Sequence, residues 1–183
     1  MDYFFADPHF DHGNIIKYCN RPFANAEEMN AAMYENINMV VRPNDILWCL
    51  GDWSFRNHAE HRARIKCKTI HLIKGNHDNA PHEKLQEIFA SVRSLRRIKV
   101  QYRGARQHIV LCHYAMRVWD LSHHGAWHLY GHSHGTLPDD PRSLSIDVGV
   151  DCHDFKPLNV EQIGEIMARK KCIPVDHHNE KTQ

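Results

Sequence analysis

The sequence predicts an α/β fold in which two mixed β-sheets pack together and helices flank them. In the first half of the chain, short apolar runs alternate with segments of helical periodicity, and in the second half strand-like runs occur in pairs. No low-complexity linker or internal repeat interrupts the 183 residues. This length suits one domain, predicted over residues 1–174 and followed by a polar tail at 175–183.

The first elements are predicted to be a strand, a helix and a strand. Residues 3–6 form a short aromatic and apolar run that is typical of a buried strand. Apolar side chains then recur at helical spacing over about residues 26–41, with Asn25 as the N-cap and Pro43 as a stop. A second continuous apolar run follows at residues 45–50, so we expect another buried strand there.

The same alternation continues through the middle of the chain. Polar residues at about 59–67 predict a helix, and the β-branched and apolar run at 69–73 predicts a third strand. A further helix is expected over residues 81–92, because Pro81 suits the first helical turn.

Paired strands are predicted in the second half. Residues 95–102 and 107–112 have the pattern of a hairpin. Short strands are expected at 128–130 and 143–150, and a helix over residues 161–171 closes the domain. Strand-helix-strand units followed by paired strands predict two packed sheets.

Side chains that bind metals directly follow five of these strand-like runs. They are Asp7 and His9, then Asp52, then Asn76, then His113, and finally His132 and His134. The carboxyl ends of strands gather loop residues into one crevice, so residues far apart in sequence can share one site. Two divalent ions about 3.5–4 Å apart need a bridging carboxylate, terminal imidazole and carboxylate ligands, and space for a bridging hydroxide. The sequence therefore predicts a two-metal site.

The ligand types also predict how the two ions are shared. Asp52 lies on a turn that Gly51 makes tight, and it is the expected bridge because one carboxylate can offer an oxygen to each ion. The other predicted ligands are Asp7, His9 and His134 for one ion, and Asn76, His113 and His132 for the other.

Taken singly, each of these pieces has an ordinary structural interpretation. Asp7 suits a turn before Pro8, and Asp52 suits a cap on the segment that follows it. Residues 76–78 suit a turn between a strand and a helix, and a lone histidine such as His113 is more often structural. The ordered combination favours the metal site, because every piece follows a strand-like run and together they supply a full ligand set.

Composition narrows the class of protein and its surroundings. The net charge of +1 and the pI of about 7.8 give no support to a broad nucleic-acid surface or an anionic membrane partner. Six cysteines lie 18 or more residues apart without a C-x-x-C pair, so we expect reduced thiols and a cytoplasmic protein. The sequence contains neither a signal-peptide pattern nor an 18-residue apolar stretch, so it predicts neither secretion nor a membrane-spanning segment. The 17 histidines favour metal or proton chemistry.

The motif order D-x-H, G-D, G-N-H-[DE], H and G-H-x-H resembles that of the calcineurin-like metallophosphoesterase superfamily. All five blocks are present between residues 7 and 134, and the stretches at 7–14, 20–23 and 147–151 are similar to its small bacterial and phage branch. The resemblance implies a four-layer αββα sandwich with a dinuclear site and the ligand sharing given above. It also implies that His77 is the acid, paired with Asp78.

The expected activity is hydrolysis of small phosphodiesters or phosphomonoesters, nucleotides among them, by a metal-bridging hydroxide. His77 is suited to protonate the leaving oxygen, and Asp78 to orient its imidazole. The mixed ligands suit Mn²⁺ first, with Fe, Ni²⁺ and Zn²⁺ as alternatives. Candidate substrate contacts are His12, Asn14, Arg21 and Arg117.

Two other functions are compatible with the same residues. One is a non-catalytic metal-binding scaffold or protein-interaction module of the same fold, which degenerate ligands would favour. The other is a nuclease, which the near-neutral charge makes less favoured. The complete ligand set and His77 favour the phosphoesterase.

Overall fold

A computed structural model describes residues 1–176, and two facing β-sheets form its centre. The nine strands are β1 (Asp2–Phe5), β2 (Ile46–Cys49), β3 (Thr69–Ile73), β4 (Ser91–Arg93), β5 (Leu95–Tyr102), β6 (Ala105–Cys112), β7 (Trp127–Tyr130), β8 (Ser145–Asp147) and β9 (Leu158–Asn159). The five α-helices are α1 (Gly13–Tyr18), α2 (Ala26–Val40), α3 (His58–Ala63), α4 (His82–Ile88) and α5 (Val160–Met167).

Both sheets are mixed, which confirms the predicted fold class. The first sheet has the order β4-β3-β2-β1-β9, and only β9 runs antiparallel to its neighbour. The second sheet has the order β5-β6-β7-β8, and only β5 runs antiparallel. The parallel strands bring their carboxyl ends to one edge of the sandwich.

One core lies between the first sheet and its helices. Helix α2 begins at its predicted N-cap, since the Asn25 side chain accepts a hydrogen bond from the Glu28 N–H at 2.9 Å. Met29, Met33 and Ile37 repeat at helical spacing and are fully buried in the cluster that includes the outer side chains of β2 and β3.

A second core lies between the two sheets. Phe4 and Leu50 from the first sheet share this cluster with Ile109 and Leu129 from the second, and all four are fully buried. Helix α5 packs against β1, β5 and β9 and contributes to the same core. Gly164 permits this approach, because a Cβ there would lie 2.3 Å from the Tyr102 ring.

The outer face of the second sheet is covered by the segment at residues 114–126. This segment contains the 3-10 turn Ser122–His124, and Trp119 packs there with Val110 and Ala126. The helical layer is therefore well developed on the first sheet, whereas an irregular segment forms the corresponding layer on the second.

Several element boundaries differ from those predicted. The helix predicted over residues 81–92 ends at Ile88, because the chain then pairs with β3 as strand β4. The helix predicted at 59–67 ends at Ala63, and the strand predicted at 143–150 is limited to β8. The short elements α1 and β9 were not predicted from the sequence, since their local periodicity is too brief to recognise.

No helix within residues 1–176 has the length and apolarity needed to cross a membrane. All six cysteines are free thiols. From residue 177 onward, the predicted polar tail lies outside the described part of the chain.

Candidate metal centre

The predicted ligands converge where the carboxyl ends of β1, β2 and β3 meet those of β6 and β7. Five of them adopt left-handed backbone conformations: Asp7 (φ 58°), His9 (51°), Asp52 (54°), His132 (68°) and His134 (47°). Such conformations cost a non-glycine residue about 1–3 kcal/mol each and persist only where the surrounding structure imposes them. Their concentration at one edge marks this edge as a candidate functional site.

The first ligand group consists of Asp7, His9 and His134, whose donor atoms lie within 4.8 Å of one another. The Asp7 carboxylate is fully buried, and its Oδ2 accepts a hydrogen bond from the His132 N–H at 2.8 Å. Its Oδ1 and the His9 Nε2 are buried without a hydrogen-bond partner among the described residues. Buried polar atoms are normally satisfied, so this pair fits ligands that hold a cation.

The second ligand group consists of Asp52, His113 and His132, again with donor atoms within 4.8 Å of one another. Asp52 connects the two groups, because its Oδ2 lies 3.4 Å from the His9 Nε2 and 3.6 Å from the His113 Nε2. A single carboxylate oxygen thus lies close to one imidazole of each group, where it could be a ligand common to both.

Hydrogen bonding orients the His113 ring. Its Nδ1 lies 2.7 Å from the Leu50 carbonyl oxygen and donates a hydrogen bond to it, so in the neutral ring Nε2 carries the lone pair. That Nε2 lies 3.0 Å from the Asn76 Oδ1. Burial lowers the pKa of His113 and favours the neutral ring, whose Nε2 could then bind a cation together with the Asn76 Oδ1.

Burial opposes charge on this site when no cation is present. Burial raises the pKa of Asp7 well above its ordinary value, and the neighbouring Asp52 raises it further. Burial also lowers the pKa of His9. Within residues 1–176, no lysine or arginine forms an ion pair with either carboxylate. A divalent cation would supply the missing positive charge.

Glycine allows the backbone to approach these carboxylates closely. A Cβ at Gly75 would lie 2.1 Å from the Asp52 Oδ1, and a Cβ at Gly131 would lie 2.5 Å from the Asp7 Oδ2. The glycines of the G-N-H-D and G-H-x-H motifs therefore leave space for these carboxylates, which any side chain at those positions would overlap.

Asp78 has a different role from the one expected. Its carboxylate accepts backbone hydrogen bonds from Asp52 and Trp53 at 2.9 Å and from Gly75 at 2.8 Å, and so joins the loops after β2 and β3. Among residues 1–176, the hydrogen bonds of this carboxylate go to these backbone amides and not to the His77 imidazole, so the structure does not show the expected pairing. Burial raises the pKa of Asp78.

His77 lies at the mouth of the site. Its backbone N–H donates to the Asp52 Oδ1 at 2.8 Å, and its half-buried ring lies 5.3 Å from the His9 ring and 5.7 Å from the His12 ring. The imidazole therefore lies beside the ligand groups.

Arg21 was expected to contact substrate, and the structure contradicts this prediction. Its side chain is buried and forms two hydrogen bonds with the Asp151 carboxylate, at 2.7 and 2.8 Å. It also donates to the backbone carbonyls of Asp7 and Pro8. Because the guanidinium is fully engaged inside the protein, Arg21 positions the Asp7 loop.

Asp151 extends this network to a predicted ligand. Its Oδ2 lies 2.7 Å from the His134 Nδ1, so it orients that ring. Burial opposes ionisation, but hydrogen bonds from His134 and Arg21 outweigh it and hold the pKa of Asp151 below its ordinary value. The only sequence signal for this role was its place in the stretch at 147–151.

The other predicted substrate contacts occupy different places. The His12 Nδ1 lies 3.3 Å from the His9 Nδ1, so His12 belongs to the mouth of the site. Asn14 is exposed in the first turn of α1. Arg117 lines a separate cavity of about 470 Å³ with Trp119, and none of the seven predicted ligands lines that cavity.

Asp11, close to the first motif, holds loops together. It accepts hydrogen bonds from the side chains of Asn30 at 2.8 Å and Asn57 at 2.9 Å, and it lies 3.1 Å from the His61 Nε2. Asp147 similarly accepts backbone hydrogen bonds from Gly149 and Gly135. The sequence alone did not assign these roles to Asp11 and Asp147, because their hydrogen-bond partners come close to them only in the folded chain.

Comparison with known proteins identifies relatives without an assigned activity. The chain is 33% identical over 180 residues to the uncharacterized protein MJ1445 of Methanocaldococcus jannaschii, covering 93% of each chain, and it belongs to the same family. Its fold is similar to that of the protein of unknown function AQ665 from Aquifex aeolicus. That match has a TM-score of 0.69 and 22% identity, and it covers 91% of this chain and 98% of the other. No protein-family profile matches the chain.

Proposed function

We propose that this member of the MJ1445 family is a metal-dependent phosphoesterase that hydrolyses small phosphodiesters or phosphomonoesters, nucleotides among them. The observation that carries the proposal is the position of the Asp52 Oδ2, 3.4 Å from the His9 Nε2 and 3.6 Å from the His113 Nε2. The Asp52 carboxylate thereby lies within reach of both ligand groups, an arrangement that suits a pair of adjacent divalent ions.

The residues present fit a pair of divalent transition-metal ions. One ion would be held by Asp7, His9, Asp52 and His134, and the other by Asp52, Asn76, His113 and His132. The buried Asp7 Oδ1 and His9 Nε2, which have no hydrogen-bond partner among the described residues, support the first assignment. Mixed oxygen and nitrogen donors suit Mn²⁺ first, with Fe, Ni²⁺ and Zn²⁺ as alternatives. When bound, such ions acidify water and neutralise charge on the phosphoryl oxygens.

His77 supplies the proton in this proposal. The oxygen of a water that has lost one proton to solvent forms the new bond to phosphorus, while the bond to the leaving oxygen breaks and its electron pair stays on that oxygen. His77 protonates this leaving oxygen, since its ring is partly exposed beside His9 and His12 at the mouth. Asp78 supports the reaction indirectly, because its backbone hydrogen bonds hold Asp52 and Gly75 in place.

Metal-stripped protein reloaded with Mn²⁺, Ni²⁺ or Zn²⁺ tests the proposal. We expect metal-dependent hydrolysis of bis(p-nitrophenyl) phosphate or p-nitrophenyl phosphate, lost in Asp52→Asn and retained in the control Asp154→Asn. Asp154 is exposed and has a left-handed backbone that asparagine tolerates. Metal binding without turnover under every condition would contradict the proposal and favour a non-catalytic metal-binding scaffold.

A further inference from the structure

The net charge of +1 conceals a strong separation of charge along the chain. No aspartate or glutamate occurs between Glu87 and Asp120, whereas seven lysines and arginines do. Residues 88–119 therefore carry +7, and the rest of the chain carries −6. The seven cations are Arg93, Arg96, Arg97, Lys99, Arg103, Arg106 and Arg117.

The fold places five of these cations on and beside the edge strand β5. Two lie on β5 itself (Arg97 and Lys99), and the others lie in the turn that follows it (Arg103), on β6 (Arg106) and on β4 (Arg93). We call Arg93, Arg97, Lys99, Arg103 and Arg106 the basic strip; all five side chains are exposed. Strand β5 is the edge of the second sheet and spans about 24 Å over its eight residues. Arg96 is excluded from the strip because it lies over Trp48 and donates to the Ser91 hydroxyl.

Most of the basic strip forms no ion pair with residues 1–176. Arg97 forms an ion pair with Asp120. In the part of the chain that the structure describes, Arg93, Lys99, Arg103 and Arg106 form no ion pair. Unpaired cations in a row attract a polyanion, whose counterions are released when its charges are neutralised.

One end of the basic strip adjoins the metal centre. Leu95, at the start of β5, pairs with Cys112, which directly precedes the predicted ligand His113. The Lys74 N–H also donates to the Arg93 carbonyl oxygen at 2.8 Å, two residues before Asn76. The strip therefore begins beside the ligands and runs along β5 to the hairpin turn.

Exposed aromatic rings surround the metal centre as well. Phe55 is 60% exposed and stacks on the His12 ring at 5.0 Å, and Tyr18 is 74% exposed on the same side. Tyr114 is 47% exposed and lies 4.8 Å from the His132 ring. Exposed rings near a cationic track are typical of single-stranded nucleic-acid surfaces, where bases stack on them.

We propose that the basic strip and these three aromatic rings bind single-stranded nucleic acid, with the backbone along β5 and bases stacked beside the metal centre. The charge row alone would suit any polyanion, and the rings favour one that carries planar bases. The inference that an oligonucleotide phosphodiester is the substrate rests on the proposed function. The inference that this surface binds single-stranded nucleic acid does not.

Fluorescence anisotropy with a labelled 12-nucleotide single strand tests the inference on the metal-loaded full chain, with strand integrity checked on a gel. The variant Lys99→Gln/Arg103→Gln/Arg106→Gln should weaken binding at low salt by about tenfold or more. The slope of log K against log salt should fall by about 2, since each neutralised phosphate of a single strand contributes about 0.7. The control Lys66→Gln/Lys84→Gln/Lys156→Gln removes the same charge from exposed sites elsewhere and should change neither value.

A second variant separates stacking from charge. Phe55→Ala should weaken binding of the strand while leaving the salt slope unchanged, because it removes a ring and no charge. Hydrolysis of bis(p-nitrophenyl) phosphate should be unaffected in the triple variant. If the triple variant does not fold, Lys99→Gln/Arg106→Gln replaces it, with an expected slope change of about 1.4.

Three results would overturn the inference: no binding of the strand, equal losses in the basic-strip and control variants, or tighter binding to anionic phosphatidylglycerol vesicles than to the strand. A protein that binds the strand as expected but hydrolyses no phosphate ester would retain the binding surface and lose the proposed function. The two proposals therefore fail on different measurements.

Discussion

The helix-covered face of the first sheet and the carboxyl edge of the two sheets are built in opposite ways. Under α2, apolar side chains such as Met33 are fully buried and the helix begins at a good N-cap. At the carboxyl edge, Asp7 and Asp52 are buried close together and both have left-handed backbones. The first region stabilises the fold, whereas the second holds backbone strain and buried carboxylates whose negative charge a bound cation would balance.

The largest effect expected is on activity at the carboxyl edge. Asp52→Asn should lower metal-dependent hydrolysis by at least about a thousandfold, because the bridging charge is lost. The same change should leave the melting temperature in EDTA unchanged or raised, since Asp52 contributes to the repulsion that raises the pKa of Asp7. Parallel activity and thermal-unfolding measurements check both statements, and a large loss of metal-free stability would contradict the comparison.

The helix-covered face should respond in the reverse manner. Met33→Ala should lower the free energy of unfolding by about 2–5 kcal/mol, because it leaves a cavity in a fully buried cluster. Activity per folded molecule should be retained. Met39 lies on the same helix but is 65% exposed, so Met39→Ala should change stability by only about 0.5 kcal/mol or less. Urea titrations of both variants provide the measurement.

An intermediate effect is expected from the network that orients a ligand. Asp151→Asn should weaken metal binding by about 10–100-fold, because the His134 ring loses its carboxylate partner and Arg21 loses its counter-charge. Isothermal titration with Mn²⁺ measures the change, and Asp154→Asn is the matched control. An unchanged Mn²⁺ affinity would show that Asp151 and Arg21 hold the Asp7 loop in place without affecting metal binding by His134.

The smallest effect expected is a pH dependence of metal stabilisation. The folded metal-free protein has a raised pKa at Asp7, so its stability falls as pH rises from the ordinary carboxyl pKa toward the raised one. A bound cation holds the carboxylate ionised and removes this loss. Mn²⁺ should therefore raise the melting temperature more at pH 7.5 than at pH 5, with EDTA samples at each pH as reference. A larger rise at pH 5 would contradict this account.

Local sequence signals predicted the regular parts of both regions well. Strand β3 has the predicted bounds, the hairpin of β5 and β6 was found, and the cap at Asn25 is confirmed. These features depend on periodicity, turn chemistry and capping within a few residues. Strand β4 was missed because its pairing with β3 outweighs the helical pattern that precedes it.

The partners of polar side chains were much harder to predict. The sequence suggested that Asp78 would hold His77, whereas it binds backbone amides of Asp52 and Trp53, about 25 residues earlier in the chain. Arg21 likewise finds its partner Asp151 at a separation of 130 residues. Such contacts leave no periodic signal, because they depend on which strand ends the fold brings together.

By itself, the sequence determined the α/β class and the candidate ligands, because short apolar runs predict the strands and residues of metal-binding type follow directly after them. Only the tertiary structure decided that Asp52 faces both ligand groups, that Arg21 is a buried support and that the basic strip adjoins the site. Ligand identity is a local chemical property, whereas bridging, support and surface charge depend on distances between segments far apart in the chain.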